Sequence, residues 1–176
     1  GNKIAGTSGA LVDFIYDRLA GSLREQGFTA QEVDAVLALK PQRLGDVAKR
    51  LVAVRAFAAL PEAPALAAAN KRISNILKKT QDVDAHVSEL LLTEPAEQHL
   101  YRVVQDIVPK ADRQFDAGDY TASLQSLAAL REPVDAFFDG VMVNAEEMDV
   151  RLNRLGLLAK LHAAMNRVAD LSKLAA

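Results

Sequence analysis

Apolar residues recur at three- and four-residue spacing along nearly the whole chain, and stretches that alternate polar with apolar are almost absent. Positions spaced in this way fall on one side of a helix with 3.6 residues per turn, so the pattern predicts an all-α fold. A first helix over about 11–26 gathers Leu11, Phe14, Ile15, Leu19 and Leu23 on one face and stops at Gly27. Thr29, with Glu32 three residues later, has the form of a capping box and opens a second helix over 30–39, closed before Pro41. A third covers 44–60, and Pro61 begins a fourth that runs to about Lys79. Thr93 and Pro95 start a long helix that ends near Gly118, with Pro109 as an internal kink. Asp119 caps the next, which carries Leu124, Leu127 and Leu130, pauses at Pro133 and continues through Phe138 toward Gly140. The last helix is expected from about Glu147 to Leu174, with Val150, Leu157, Leu158, Leu161, Met165 and Val168 on its apolar side. The expectation is a helical bundle of about seven to eight helices. Residues 1–10, mostly small and polar, read as a linker, and 11–176 as the helical domain, with an N-terminal part over about 11–80 and a C-terminal bundle over about 93–175.

Composition narrows the functional classes. Cysteine is absent, which excludes disulfides and thiolate metal sites. No apolar run approaches the roughly 20 residues needed to cross a bilayer, and the N-terminus lacks the charged start and apolar core of a signal peptide, so no membrane partner is expected and cytoplasm is the expected compartment. The three histidines, His86, His99 and His162, have no metal-ligand spacing, and no Gly-rich phosphate loop is present. Glu146 and Glu147 suit the first turn of the last helix, where negative charge complements the dipole, rather than acid–base chemistry. The expectation is a binding domain with no catalytic residue, no metal and no cofactor of its own.

The net charge of −2 conceals a segregation. Residues 40–79 hold nine basic and two acidic side chains, 80–150 hold four and fifteen, and 151–176 hold five and one. Basic blocks attract phosphates by counterion release, and the acidic block between them restricts where a polyanion can sit. On the fourth helix, Leu66, Ala69, Ile73, Ile76 and Leu77 form the apolar stripe, while Lys71, Asn75 and Lys78 lie opposite, flanked by Arg72 and Lys79. With Asn70, this run of cations and amides has the side chains a nucleic-acid surface needs, since cations position phosphates and amides can read base edges.

Near the C-terminus, Asn144, Arg151 and Asn153 are further candidate nucleic-acid contacts. Of Phe137 and Phe138, one is expected to fill the core and the other to offer a flat face to an unstacked base. Arg154 falls inside an apolar stripe, where a guanidinium requires a carboxylate, and Asp135 or Asp139 is the expected partner.

The run Asn70–Lys79 (NKRISNILKK), the later Asp135, Phe137, Phe138 and Asp139, and the helix start Met148-Asp149-Val150-Arg151 followed by Leu152-Asn153-Arg154-Leu155 occur in an order that resembles a DALR-type anticodon-binding domain. Of the Asp-Ala-Leu-Arg run that names that family, Arg151 stands, Val150 replaces a similar apolar residue, and Met148 and Asp149 do not match. Asp13–Leu19, reading DFIYDRL, further resembles the start of this domain in the beta subunit of bacterial tetrameric glycyl-tRNA synthetases, more than it does the arginyl-type relatives. The resemblance implies recognition of the tRNA(Gly) anticodon stem-loop, with an alpha subunit and the remainder of a beta subunit as partners, and with ATP and magnesium used elsewhere in the complete enzyme. A reading from another class is a helical protein-interaction module that docks a partner subunit or domain through an apolar groove.

Overall fold

Helix starts and stops in this chain are written in a few side chains and two glycines. The computed structural model describes residues 3–41, 43–80 and 83–175, apart from the side chains of residues 3–8 and 44. Among the described residues there are eight α-helices and no strands: α1 (Lys3–Glu25), α2 (Ala30–Leu37), α3 (Leu44–Ala58), α4 (Ala63–Lys78), α5 (Pro95–Asp116), α6 (Tyr120–Leu127), α7 (Arg131–Gly140) and α8 (Met148–Met165). Two 3-10 turns lie between helices, at Glu89–Leu91 and Ala128–Leu130, and a third, Leu171–Leu174, follows α8. No single helix is long and apolar enough to cross a membrane.

The predicted capping box opens α2, with Thr29 Oγ1 accepting from Glu32 N at 3.1 Å and Glu32 Oε1 accepting from Thr29 N at 2.9 Å. Asp119 caps α6 by accepting from Ala122 N. Gly27 and Gly118 close α1 and α5 in the left-handed region, at φ of 99° and 81°. At each, the glycine N–H and the next N–H bond back to carbonyls of the last turn, Arg24 and Leu23 in one case, Phe115 and Gln114 in the other.

Three expectations change. α1 reaches back to Lys3, into the stretch read as a linker, and its predicted apolar face is not buried: Leu11, Phe14 and Ile15 are 50–57% exposed, Leu19 is half-buried and Leu23 alone is core. α2 is the partner of α1, and eight residues at 1.5 Å each can cover only the last turns of a 23-residue helix. The pause before α7 falls at Ala128–Leu130, with Pro133 inside the first turn of α7. The last helix ends at Met165 rather than running to Leu174, because Asn166 turns the chain: its amide donates to His162 O at 2.8 Å and its Oδ1 accepts from Leu171 N at 3.0 Å.

The apolar core is continuous from Leu23 to Leu171, with Phe57, Leu66, Ile73, Leu100, Leu124, Phe137, Leu157 and Leu161 fully buried. The two parts of the sequence interleave rather than forming separate units. α3 packs on α6, and the C-terminal 3-10 turn lies between α2 and α4, anchored by Asp170 N donating to Ala35 O at 2.8 Å. Arg50 of α3 reaches the same region and donates to the carbonyls of Arg167 and Val168 at 2.8 and 2.7 Å.

Candidate nucleic-acid interface

α4 buries Leu66, Asn70 and Ile73 and leaves a polar arc in solvent. At about 100° per residue, that arc runs in the order Lys78, Lys71, Asn75, Lys79, Arg72, all exposed. Its first edge meets the C-terminal 3-10 turn, where Lys78 and Lys173 line one cleft and Lys71 and Leu174 another. Its second edge meets α7, where the Arg72 guanidinium lies 4.2 Å over the ring of Phe138. Beyond that edge, the wall made by Glu62, Arg131, Glu132 and Asp135 carries three acids to one base.

The cations on this arc share the lack of a carboxylate partner with the exposed Arg18, Lys40, Arg43, Lys49, Arg102, Lys110 and Arg113 among the described residues, and what sets them apart is their clustering along one side of a single helix. Among the described residues Lys71, Arg72, Lys78, Lys79 and Lys173 make no ion pair, whereas Arg50, Arg55, Arg131, Arg154 and Arg167 all do. Arg167 sits 4.1 Å from the Phe115 ring centroid and is held by Asp112 at 2.8 Å and Asp116 at 3.4 Å, so it joins helices rather than offering charge to a ligand. Exposed cations clustered on one side of a helix form a continuous surface that phosphates can neutralise.

Several expected contact residues are committed elsewhere. Asn70 is fully buried, and its amide exchanges hydrogen bonds with Asn166 at 2.9 and 3.2 Å. Asn153 is 5% exposed and holds the backbone of Ser88, accepting from its N at 2.7 Å and donating to its O at 3.1 Å. Both lie outside the set able to reach a ligand. Phe137 is core and Phe138 is half-buried, edge-on to Phe137 at 5.4 Å. Because Arg72 lies over Phe138, the flat surface closest to solvent here is a guanidinium rather than a phenyl ring.

Asn144, in the segment before α8, is exposed, and Arg151, in the first turn of α8, is half-buried, with Glu146, Glu147 and Asp149 between them in the chain. Arg151 lies about 16 Å along the helix axis from His162, which hydrogen-bonds Ser74 of α4. The structure therefore separates these two from the α4 arc.

Arg154 is buried as expected, but its partner is Glu97 of α5 and not Asp135 or Asp139. Arg154 Nε donates to Glu97 Oε2 at 3.0 Å, Nη2 to Oε1 at 3.2 Å, and Nη1 to Met142 O at 2.6 Å. Asp135 instead pairs with Arg131 one turn away, and Asp139 is exposed. Glu97 also accepts from the N–H groups of Thr93 and Glu94 at 2.7 and 2.9 Å, so one carboxylate closes the α5 cap and anchors α8. Burial pushes its pKa up, but the bonds from Arg154, Glu94 and Thr93 outweigh burial and hold it below the usual carboxylate value.

Lys173, Ser74 and His162 were not singled out by the sequence. Ser74 Oγ and His162 Nε2 are 2.9 Å apart beside Lys78 and Lys173. Burial lowers the His162 pKa, partly countered by the charge of Asp170. The available signal was weak: Lys173 is one of five basic residues in a C-terminal block whose packing on α4 only the turn at Asn166 determines.

These features define a helical domain with a cationic, phosphate-competent side on α4 and, among the described residues, no cluster of three or more histidine and carboxylate groups for a metal. Residues 66–174 match the DALR anticodon binding domain, and the chain belongs to that family. Over its full length it is similar to glycine–tRNA ligase beta subunits: 75% identical to that of Polaromonas naphthalenivorans and 70% to that of Delftia acidovorans, each over 177 residues, all of this chain and 25% of the relative. It is 68% identical to that of Dechloromonas aromatica over 167 residues, 94% of this chain and 24% of the relative. The chain thus spans about a quarter of the length of the curated relatives it matches.

Proposed function

We propose that this chain grips the anticodon stem-loop of tRNA(Gly) within a glycine–tRNA ligase, and so supports aminoacylation performed elsewhere in the assembly. The observation that carries the reading is the exposed α4 arc of Lys71, Arg72, Asn75, Lys78 and Lys79, without an ion pair among the described residues, in a domain of the anticodon-binding family. Phosphates of the stem-loop lie along the lysines, Asn75 meets a base edge, and a loop base stacks on the outer face of the Arg72 guanidinium. Phe138 supports that guanidinium from below instead of stacking directly. Asn144 and Arg151, amid carboxylates that repel phosphate, are left out of the interface.

The partners are the remainder of the beta subunit and an alpha subunit. ATP and magnesium belong to the catalytic part of that assembly, and the compartment is the cytoplasm. An adapter of this kind orients the acceptor end at a distant site, so its loss lowers kcat/KM for tRNA and leaves adenylate formation intact.

The test is binding of the chain to a tRNA(Gly) anticodon stem-loop and to one with altered anticodon bases, at low and moderate salt. Binding that discriminates between the loops, weakens steeply with salt and is lost in Lys71→Ala/Lys78→Ala fits the reading. Equal binding to both loops reduces it to a general polyanion surface, and absence of binding at low salt removes it.

One observation favours the protein-interaction reading as a second role: Leu11, Val12, Phe14 and Ile15 expose an apolar side of α1 in a chain that matches a quarter of its relatives. The occupant proposed for it is the rest of the beta subunit. Contact there would be insensitive to salt, unlike RNA on α4.

A further inference from the structure

The clefts along the surface are not equivalent. One, of about 510 Å³, is lined by Glu62, Glu132, Asp135 and the Arg131 that pairs with Asp135, an acid-rich wall that disfavours a polyanion. The one between α4, the end of α8 and the C-terminal 3-10 turn, about 440 Å³, has a different chemistry. Leu39 and Leu77 supply apolar walls, Lys78 and Lys173 stand exposed at its rim, and the hydrogen-bonded Ser74 and His162 line its interior. Asp170, the one acid in the lining, has its Oδ1 engaged by Ser172 N and Oγ at 3.1 and 2.6 Å.

We propose that this cleft receives a single unstacked nucleobase, with Lys78 and Lys173 holding the phosphates on either side of it. The inference rests on the anticodon-binding reading and locates a base-reading pocket that the α4 arc alone does not supply. Three requirements of single-stranded recognition meet here. Leucine side chains pack against base faces, a neutral imidazole and a hydroxyl offer donors and acceptors to a base edge, and two cations sit where the backbone must pass. The volume falls within the roughly 300–1,000 Å³ of small-ligand sites. Rigidity comes from side-chain bonds: Asn166 ties α4 to the 3-10 turn through Asn70 and Leu171 N, so the turn that carries Lys173 is held beside α4.

The experiment is a binding titration of the chain against an anticodon stem-loop and a series of loops carrying one abasic position each, for the wild type, Lys173→Ala and His162→Ala. Circular dichroism and a thermal melt check that each variant is folded, and Lys173→Ala, at an exposed position, keeps the test open if His162→Ala is unstable. The expected results are a loss of about three- to tenfold for Lys173→Ala, with the salt slope reduced by about one. One abasic position should weaken the wild type and cost His162→Ala nothing further. If Lys71→Ala/Lys78→Ala loses binding while Lys173→Ala and His162→Ala bind every loop as the wild type does, the α4 interface stands and the pocket is wrong. If the wild type binds no loop even at low salt, the anticodon reading fails and the pocket with it.

Discussion

Among single residues, Glu97 has the most to lose. Its side chain is fully buried and takes bonds from Arg154, Thr93 and Glu94, so removing the guanidinium leaves a carboxylate with no counter-charge. Arg154→Met should therefore destabilise the domain by about 3–5 kcal/mol, read by urea unfolding, even though a methionine would pack well on the apolar face. The same pair predicts a pH dependence. Glu97 has a folded pKa below its ordinary value of 4.5, so the unfolded chain takes up its proton first as the medium is acidified. Its contribution is fully present above pH 4.5 and is lost as the pH falls through the lower folded value. Glu32 adds to this in the same direction: burial raises its pKa, but bonds from Arg55 and Thr29 lower it further. The melting temperature should drop below about pH 4.5, and Glu97→Gln should start from a lower melting temperature and flatten that drop.

Elements in this fold are set by local chemistry, while their neighbours are set by bonds between distant residues. Thr29 with Glu32, Asp119, Gly27 and Gly118 could be read as caps and stops because each acts within five residues of itself. The all-α class and the exposed side of α4 followed from periodicity. The partner of Arg154 lies 57 residues away and that of Asn70 lies 96 away, and no spacing rule connects them. Asn70 and Asn153 looked like ligand contacts because an amide in a polar run gives no sign of whether it faces solvent or a neighbour. Gly156 is another case, since a glycine inside a helix usually weakens it. Here the extended segment over 83–88 crosses α8 so closely that a Cβ would meet His86 O and would come within 2.9 Å of Asp84 O. Gly156→Ala should lower stability by about 1–3 kcal/mol despite the better helix propensity, because two backbone carbonyls cannot move aside as a flexible side chain would. Faster amide exchange over 83–88 would locate the damage, and a neutral or stabilising result would mean that this segment can yield at the crossing.

Over the whole molecule, the sequence pattern of α1 led furthest from the structure, and the reason bears on what the domain is. Periodicity says that a face is apolar; it does not say that this domain is what covers it. Leu11, Phe14 and Ile15 have the spacing of a core stripe, yet each is at least half exposed, and the continuous core begins only at Leu23. The domain should therefore fold without them. Phe14→Ser with Ile15→Ser is expected to change the unfolding free energy of this chain by no more than about 0.5 kcal/mol, the usual range for surface substitutions. Leu66→Ala in α4, at 1% exposure, should cost about 2–5 kcal/mol in the same assay. In a beta subunit of full length, the same double substitution should weaken the attachment of this domain to the remainder, detectable as easier proteolytic release, while stem-loop binding by the 176-residue chain stays as it was. A large loss of stability in the isolated chain would instead mean that α1 folds back and buries this side on its own domain. The apolar face would then be core, as its spacing first indicated, and the α4 arc would be left as the single outward-facing functional surface.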